Sequence, residues 1–235
     1  MKNPTLKRLN QIIKTKKTRL CVSADVTTMK ELLKLATDVG SGICLLKIHS
    51  DIITDFNLKK MQKLVELARK HNFLLFEDRK FADIGQIVQR QYHSGIYKIS
   101  DWADIVTIHA LAGEESIKAL KQIGLIKNRA AFVVAEMSCV GTLAKNNYTK
   151  QTIAIAQKHK DFVIGIIAQK KHPNTTGLLI ATPGINLTAT GDKLGQQYIT
   201  PTKALQNGTD IFIVGRGITS APNPKLASEL YRAAR

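Results

Sequence analysis

The sequence predicts a single (β/α)8 barrel over residues 1–235, with a short extra helix at about residues 4–17 ahead of the first strand. Eight short runs rich in Val, Ile and Leu alternate along the chain with segments of helical period. Most of the runs are continuously apolar, as strands covered on both faces must be. No G-x-G-x-x-G follows the first run, which removes support for an open doubly wound sheet with a dinucleotide site.

The first run, Leu20–Asp25, carries Ser23 and Asp25 at its end. Taken alone, Asp25 would read as the N-cap of the helix that follows. That helix shows its apolar face at Leu32, Leu33, Ala36 and Val39 and closes at Gly40 as its C-cap. The second run, Ile43–His49, stops at Lys47 and His49. A helix with Leu58, Met61, Leu64, Val65 and Ala68 on one face and Lys59, Lys60, Lys63 and Lys70 elsewhere comes next. The third run is Phe73–Asp78. The fourth, Asp104–His109, ends in a histidine, and the fifth, Ala131–Met137, leads through Glu136 to Ser138. The remaining runs are Phe162–Ala168, Gly177–Thr182 ahead of Pro183 and Gly184, and Asp210–Gly215, which opens into Gly215-Arg216-Gly217. In such barrels chemistry gathers at the C-terminal strand ends, so this ring of polar residues describes a pocket.

The third run is the most informative. Phe-Leu-Leu-Phe stops abruptly in Glu77, Asp78, Arg79 and Lys80, with Asp83 three residues on. Strand side chains alternate faces, so Asp78 and Lys80 point the same way. A carboxylate and an ammonium at the end of a buried strand are costly to desolvate unless they are paired or used.

Composition narrows the function classes. Hydrophobic residues make up 44% of the chain, enough for a sizeable core. No stretch has the apolar length needed to cross a bilayer, and the basic segment Met1–Lys17 lacks the apolar centre of a secretory signal. Three widely spaced cysteines, Cys21, Cys44 and Cys139, without a C-x-x-C pair, read as packed reduced thiols of a cytoplasmic protein, with no metal site. The N-x-S/T matches at Asn147, Asn174, Asn186 and Asn207 are then incidental. A net charge of +17 would suit a nucleic-acid binder. Yet the lysines scatter over outer helix faces, and with aromatics at only 6% there is no platform for stacking bases. The expectation is a small polyanionic substrate drawn in by a positive surface, with neither a nucleic acid nor a membrane as partner.

Seven anchors stand in order along the chain: Leu20–Val26, Leu45–His49, Phe76–Gly85, Ala135–Cys139, Thr182–Gly184, Gly191–Tyr198 and Ile213–Gly217. On these the chain, from about Leu6 to Arg235, resembles the eukaryotic-type branch of the orotidine 5'-monophosphate decarboxylase family. The resemblance implies a homodimeric (β/α)8 barrel with active sites shared at the dimer interface. It also implies decarboxylation of orotidine 5'-monophosphate to UMP, the last step of UMP synthesis, with no metal or organic cofactor. Loss of CO2 leaves a carbanion in the ring plane, which the ring π system stabilises poorly and a fixed positive charge stabilises well.

The family's roles carry over onto matching positions. By resemblance Lys80 stabilises the C6 carbanion and delivers its proton, and Asp78 sits near the departing CO2. Lys47 orients the array and binds the ribose hydroxyls, while Asp83 comes from the other subunit. Such alternation offsets desolvation with opposite charge and keeps both lysines protonated. Ser23 is implied beside the pyrimidine, Asp25 at a ribose hydroxyl, Ile84 among the substrate contacts and Ser138 at the pyrimidine amide. Pro183 opens a segment, running to Tyr198, that closes over the phosphate. Gln196, Tyr198, Gly215 and Arg216 are implied to hold that phosphate, Arg216 with a fork of donors.

Three departures stand out. Gln86-Ile87 replaces the usual Asn-Thr after Gly85, removing one cross-subunit ribose contact. Lys47-Ile-His-Ser50 replaces Lys-Thr-His-Val. The last helix is expected to be short, with some loss of stability. Two rival readings differ in class. One is a metal-dependent sugar-phosphate decarboxylase or aldolase of the same superfamily, in which an acidic metal ligand stands where this chain has Lys47. The other is a noncatalytic, basic nucleic-acid-binding barrel.

Overall fold

A computed structural model of the chain describes residues 3–188, 195 and 197–234. In chain order its strands and α-helices are α1 (Pro4–Lys16), β1 (Leu20–Ala24), α2 (Met29–Val39), β2 (Leu45–Ile48), α3 (Leu58–His71) and β3 (Leu74–Phe81). They continue with α4 (Gly85–Gln89), α5 (Ile99–Trp102), β4 (Ile105–His109), α6 (Glu114–Ile126), β5 (Ala130–Val134) and α7 (Asn147–Lys158). The last are β6 (Val163–Ile167), β7 (Leu179–Pro183), α8 (Pro201–Gln206), β8 (Ile211–Val214), α9 (Arg216–Thr219) and α10 (Pro224–Ala233). Each described strand pairs in parallel with the next, and β8 returns to β1, closing the barrel expected from the sequence.

Two apolar layers hold it. Between the strands and the outer helices lie outward strand residues such as Val22, Leu46, Leu75 and Val106, with Leu32, Leu64, Ile117 and Tyr231 from the helices. Inside the barrel Cys21, Leu45, Leu74, Phe76, Ile105, Phe132, Ile164 and Ile211 pack together, and Leu9 and Ile12 of α1 join them. The apolar face of α1 therefore plugs the N-terminal end of the barrel. Lys16 fastens that plug: its ammonium donates to the carbonyls of Gly40, Ile43, His71 and Asn72 at 2.8, 2.6, 2.9 and 3.1 Å.

One local expectation is corrected. Thr28, not Asp25, caps α2, in a reciprocal capping box with Glu31. Gly40 ends α2 as expected but in a right-handed conformation at φ −55°. A Cβ there would lie 3.0 Å from the Phe73 ring and 3.1 Å from His71, so a larger residue would crowd both.

Candidate active site

The inward positions of the strands form layers. Cys21, Leu45, Phe76 and Ile105 make an apolar floor. The next inward step toward the C-terminal ends brings Ser23, Lys47, Asp78 and Thr107, followed around the barrel by Val134, Ile167, Pro183 and Gly215. Above this layer opens a cleft of about 270 Å³. It gathers Ser23, Asp25, Lys47, Asp78, Lys80, Ser138, Pro183, Tyr198, Gly215 and Arg216 from the sequence expectation. It also gathers His49 and Met137. Asp83 and Ile84 lie elsewhere, exposed on the loop after β3. Gln196 lies outside the described residues, as does most of the anchor that began at Gly191.

Asp78 is the hub. Its Oδ2 sits 2.7 Å from Lys80 Nζ, 3.0 Å from Lys47 Nζ and 3.4 Å from His49 Nε2. Burial alone would raise the Asp78 carboxyl, but Lys47, Lys80 and His49 together outweigh it and hold the group well below the usual carboxylate range. Burial alone would likewise pull Lys47 below its ordinary value. Asp78, with Asp25 at 3.7 Å, reverses that and keeps the ammonium above its ordinary value. At an effective dielectric of 20, a pair 3 Å apart gains roughly 5 kcal/mol in Coulomb energy, the same order as the several kcal/mol that desolvating each ion costs. The carboxylate and Lys47 are therefore charged because they face each other.

Around this hub the remaining polar groups are tied. Lys47 Nζ donates to His49 Nε2 at 2.7 Å, and burial, with Lys47 and Lys80 adding, keeps that imidazole below its ordinary value. Ser23 Oγ donates to Asp25 Oδ1 at 2.6 Å. A Cβ at Gly215 would come 3.1 Å from Asp25 Oδ2, so a larger residue there would press on the Asp25 carboxylate. Arg216, at the start of α9, donates to the Tyr198 hydroxyl, and its guanidinium lies 5.7 Å from the Tyr198 ring centre.

β3 departs from the sequence reading. It does not stop at Asp78 but runs on to Phe81, through a break in register. Glu77 pairs with Val106 and Phe81 with Ile108, so Asp78, Arg79 and Lys80 all stand opposite Thr107. Lys80 takes the left-handed conformation at φ +52°, uncommon for a residue with a Cβ. The alternation argument placed Asp78 and Lys80 on one side correctly, but a bulge brings their charged ends together.

Two participants, Thr107 and Glu77, escaped the sequence reading. Thr107 accepts the Lys80 backbone N–H at 2.8 Å and donates to Asp78 Oδ1 at 2.8 Å. Its inward position, two before His109 on β4, was the available signal. His49, which ends the second apolar run in the sequence, lines the cleft as that position implies. Glu77 points outward and is fully buried, accepting the Ser50 N–H at 3.1 Å on both oxygens and the Ser50 hydroxyl at 2.9 Å. The serine in Lys47-Ile-His-Ser50 thus has a partner 27 positions away that spacing alone does not reveal.

Fold and site together define a (β/α)8 barrel with a buried array of fixed charges at its C-terminal mouth. The sequence pattern of the Orotidine 5'-phosphate decarboxylase / HUMPS family matches residues 18–231, and the chain belongs to this family. It is 48% identical over 233 residues to uridine 5'-monophosphate synthase of Bos taurus, covering 99% of this chain and 48% of the bovine one. The chain thus spans about half the length of that relative. Orotidine 5'-phosphate decarboxylase of Schizosaccharomyces pombe is 45% identical over 237 residues, covering 100% of this chain and 90% of the yeast one. That of Candida glabrata is 48% identical over 240 residues, covering 99% and 91%. Among solved structures, orotidine 5'-phosphate decarboxylase from Pyrococcus horikoshii superposes with a TM-score of 0.70 at 25% identity, covering 92% of this chain and 98% of that one. The Methanocaldococcus jannaschii enzyme complexed with the inhibitor BMP gives the same score and coverage at 23% identity, a likeness of fold. Neither rival reading gains support from these relatives. Among the described residues no helix is long and apolar enough to cross a membrane.

Proposed function

We propose that this chain decarboxylates orotidine 5'-phosphate to UMP and CO2, as a carboxy-lyase that uses no metal or organic cofactor. The observation that carries the reading is the Lys47–Asp78–Lys80 array over an apolar floor at the barrel mouth, in a chain of this family. Lys80 stabilises the C6 carbanion and then protonates it. A unit charge about 4 Å from the developing negative charge contributes roughly 4 kcal/mol at an effective dielectric of 20, on the order of a thousandfold in rate. Asp78 faces the leaving carboxylate, and Lys47 with Asp25 orients the ribose. Ser23 and Ser138 meet the pyrimidine, and Tyr198, Gly215 and Arg216, with Gln196, hold the phosphate beside Pro183. Distant phosphate binding then contributes to the chemical step.

The same reading makes the working unit a homodimer in the cytoplasm, with Asp83 and Ile84 completing the partner's site. Supporting it, Ile84, Leu111, Val140 and Leu143 are exposed apolar residues on the loops after β3, β4 and β5, at the mouth of the barrel. Asp83 shares that loop and is exposed. The cysteines are unpaired, as in a reducing compartment.

The test is orotidine 5'-phosphate with purified protein and a chelator, following the loss of orotate absorbance. Rapid turnover nearly abolished by Lys80→Ala is expected, and metal-dependent turnover or none refutes the reading. For shared sites, mixing inactive Lys80→Ala and Asp83→Ala subunits restores one working site per hybrid dimer. No recovery in a mixture shown to contain heterodimers refutes that part.

A further inference from the structure

We infer that Thr107 is a positioning residue that clamps the bulge of β3, fixing the Lys80 backbone and the Asp78 carboxylate with one hydroxyl. The inference rests on the decarboxylase reading for what the clamp achieves and on geometry alone for its existence. In a regular parallel sheet each inner-strand N–H finds a carbonyl on one of its two neighbouring strands. Between the pairs Glu77–Val106 and Phe81–Ile108, three residues of β3 oppose one of β4, so the regular ladder is interrupted. The Lys80 N–H goes instead to Thr107 Oγ1 at 2.8 Å. The same oxygen donates its own proton to Asp78 Oδ1 at 2.8 Å. Thr107 is fully buried, so solvent does not substitute for either bond.

The arrangement has a defined job. A left-handed lysine is an unfavourable backbone state that persists only where its surroundings fix it. Here it sits in the residue whose ammonium must be held against Asp78. The second bond occupies Oδ1, leaving Oδ2 to face Lys47, Lys80 and His49. A threonine at this inward position therefore sets the height of the lysine and the rotation of the carboxylate together. Valine would fill the same space and do neither.

Two variants separate this role from packing. Thr107→Val keeps the volume and loses the hydroxyl; Thr107→Ser keeps the hydroxyl and loses a methyl group. In decarboxylation of orotidine 5'-phosphate, Thr107→Val is expected to lower kcat about 10- to 100-fold. KM should stay within about threefold, because the proposed phosphate and ribose contacts do not touch Thr107. Thr107→Ser, although less stable to heat, should keep kcat within about threefold of the parent. Activity that tracks thermal stability across the two variants, or a serine variant as impaired as the valine one, overturns the clamp. Absence of turnover in the unmodified protein would refute the decarboxylase reading instead. The clamp is then decided by the crystal structure of Thr107→Val: Lys80 out of the left-handed region and Asp78 turned support it, and both unmoved overturn it.

Discussion

Glu77 gives the sharpest test of the physical account. Its carboxyl is fully buried on the outward side of β3, beside the Ser50 turn that follows β2. Burial pushes it from an ordinary 4.5 up to about 8; the Ser50 hydroxyl and N–H pull it down, and the negative charges of Asp51 and Asp78 push it further up. The folded chain thus holds a proton on Glu77 over a range where the unfolded chain has released it. The resulting contribution to stability is fully present below about 4.5, fades as pH rises, and is gone above about 8. At 1.36 kcal/mol per tenfold in proton affinity, the rise from 4.5 to about 8 corresponds to about 5 kcal/mol between the two limits. Glu77→Gln has the shape of the protonated acid and can accept the Ser50 N–H without ever ionising. Urea unfolding from pH 5 to pH 9 is therefore expected to show the parent losing about 4 kcal/mol relative to the glutamine variant. Every other titration is shared by the two proteins and cancels. Parallel stability curves over this range would refute the assignment of a buried, protonated carboxyl.

Two further outcomes follow from the same geometry. In Asp78→Asn the carboxylate that keeps Lys47 protonated is gone, so burial dominates and the amine should titrate below an ordinary lysine; 15N NMR of the lysine Nζ reads this, and an unchanged Lys47 contradicts the pairing. Lys16→Met removes the donor shared by four carbonyls beneath the barrel and should cost at least about 3 kcal/mol in urea unfolding. A cost below about 1 kcal/mol would mean that water replaces the ammonium without loss.

Much of this was legible in the sequence because burial on both faces leaves a one-dimensional trace. Each apolar run marks a strand, and each polar residue ending a run marks the mouth. Inward parity alone places Ser23, Lys47 and Asp78 on the inner face of the barrel. The illegible parts share a cause: they depend on register between strands, which residue type along one strand does not encode. β3 reads as ending at Asp78 because charge follows, although the backbone stays paired to Phe81. Thr107, inside an apolar β-branched run, looks like filler until a bulge on β3 supplies it with a donor and an acceptor. The Glu77–Ser50 contact joins two loop-proximal residues whose side chains alone suggest exposure. The N-cap of α2 is a different kind of miss, since Thr28-Met-Lys-Glu31 carried a capping-box signature that Asp25 overshadowed.

Register also explains why the charges alternate. Ser23 is level with Lys47, and Lys47 is level with Phe76, so Asp78 stands one inward step above the lysine on the neighbouring strand. The long Lys47 side chain therefore rises to that level, where its ammonium meets His49 Nε2 at 2.7 Å and the Asp78 carboxylate at 3.0 Å. Had β3 remained regular beyond Asp78, Lys80 would have stood a further inward step up the strand. The bulge instead holds three residues opposite Thr107 and leaves the Lys80 ammonium 2.7 Å from the same carboxylate oxygen. One carboxylate then holds two ammonium groups that would otherwise repel, over an apolar floor that screens neither. An ammonium in that setting bears on a developing anion more strongly than it would in bulk water. The run of charge after Phe76 thus owes its chemical use to three features that carry no charge themselves: the Phe76 ring beneath it, the Thr107 hydroxyl beside it, and the left-handed backbone at Lys80.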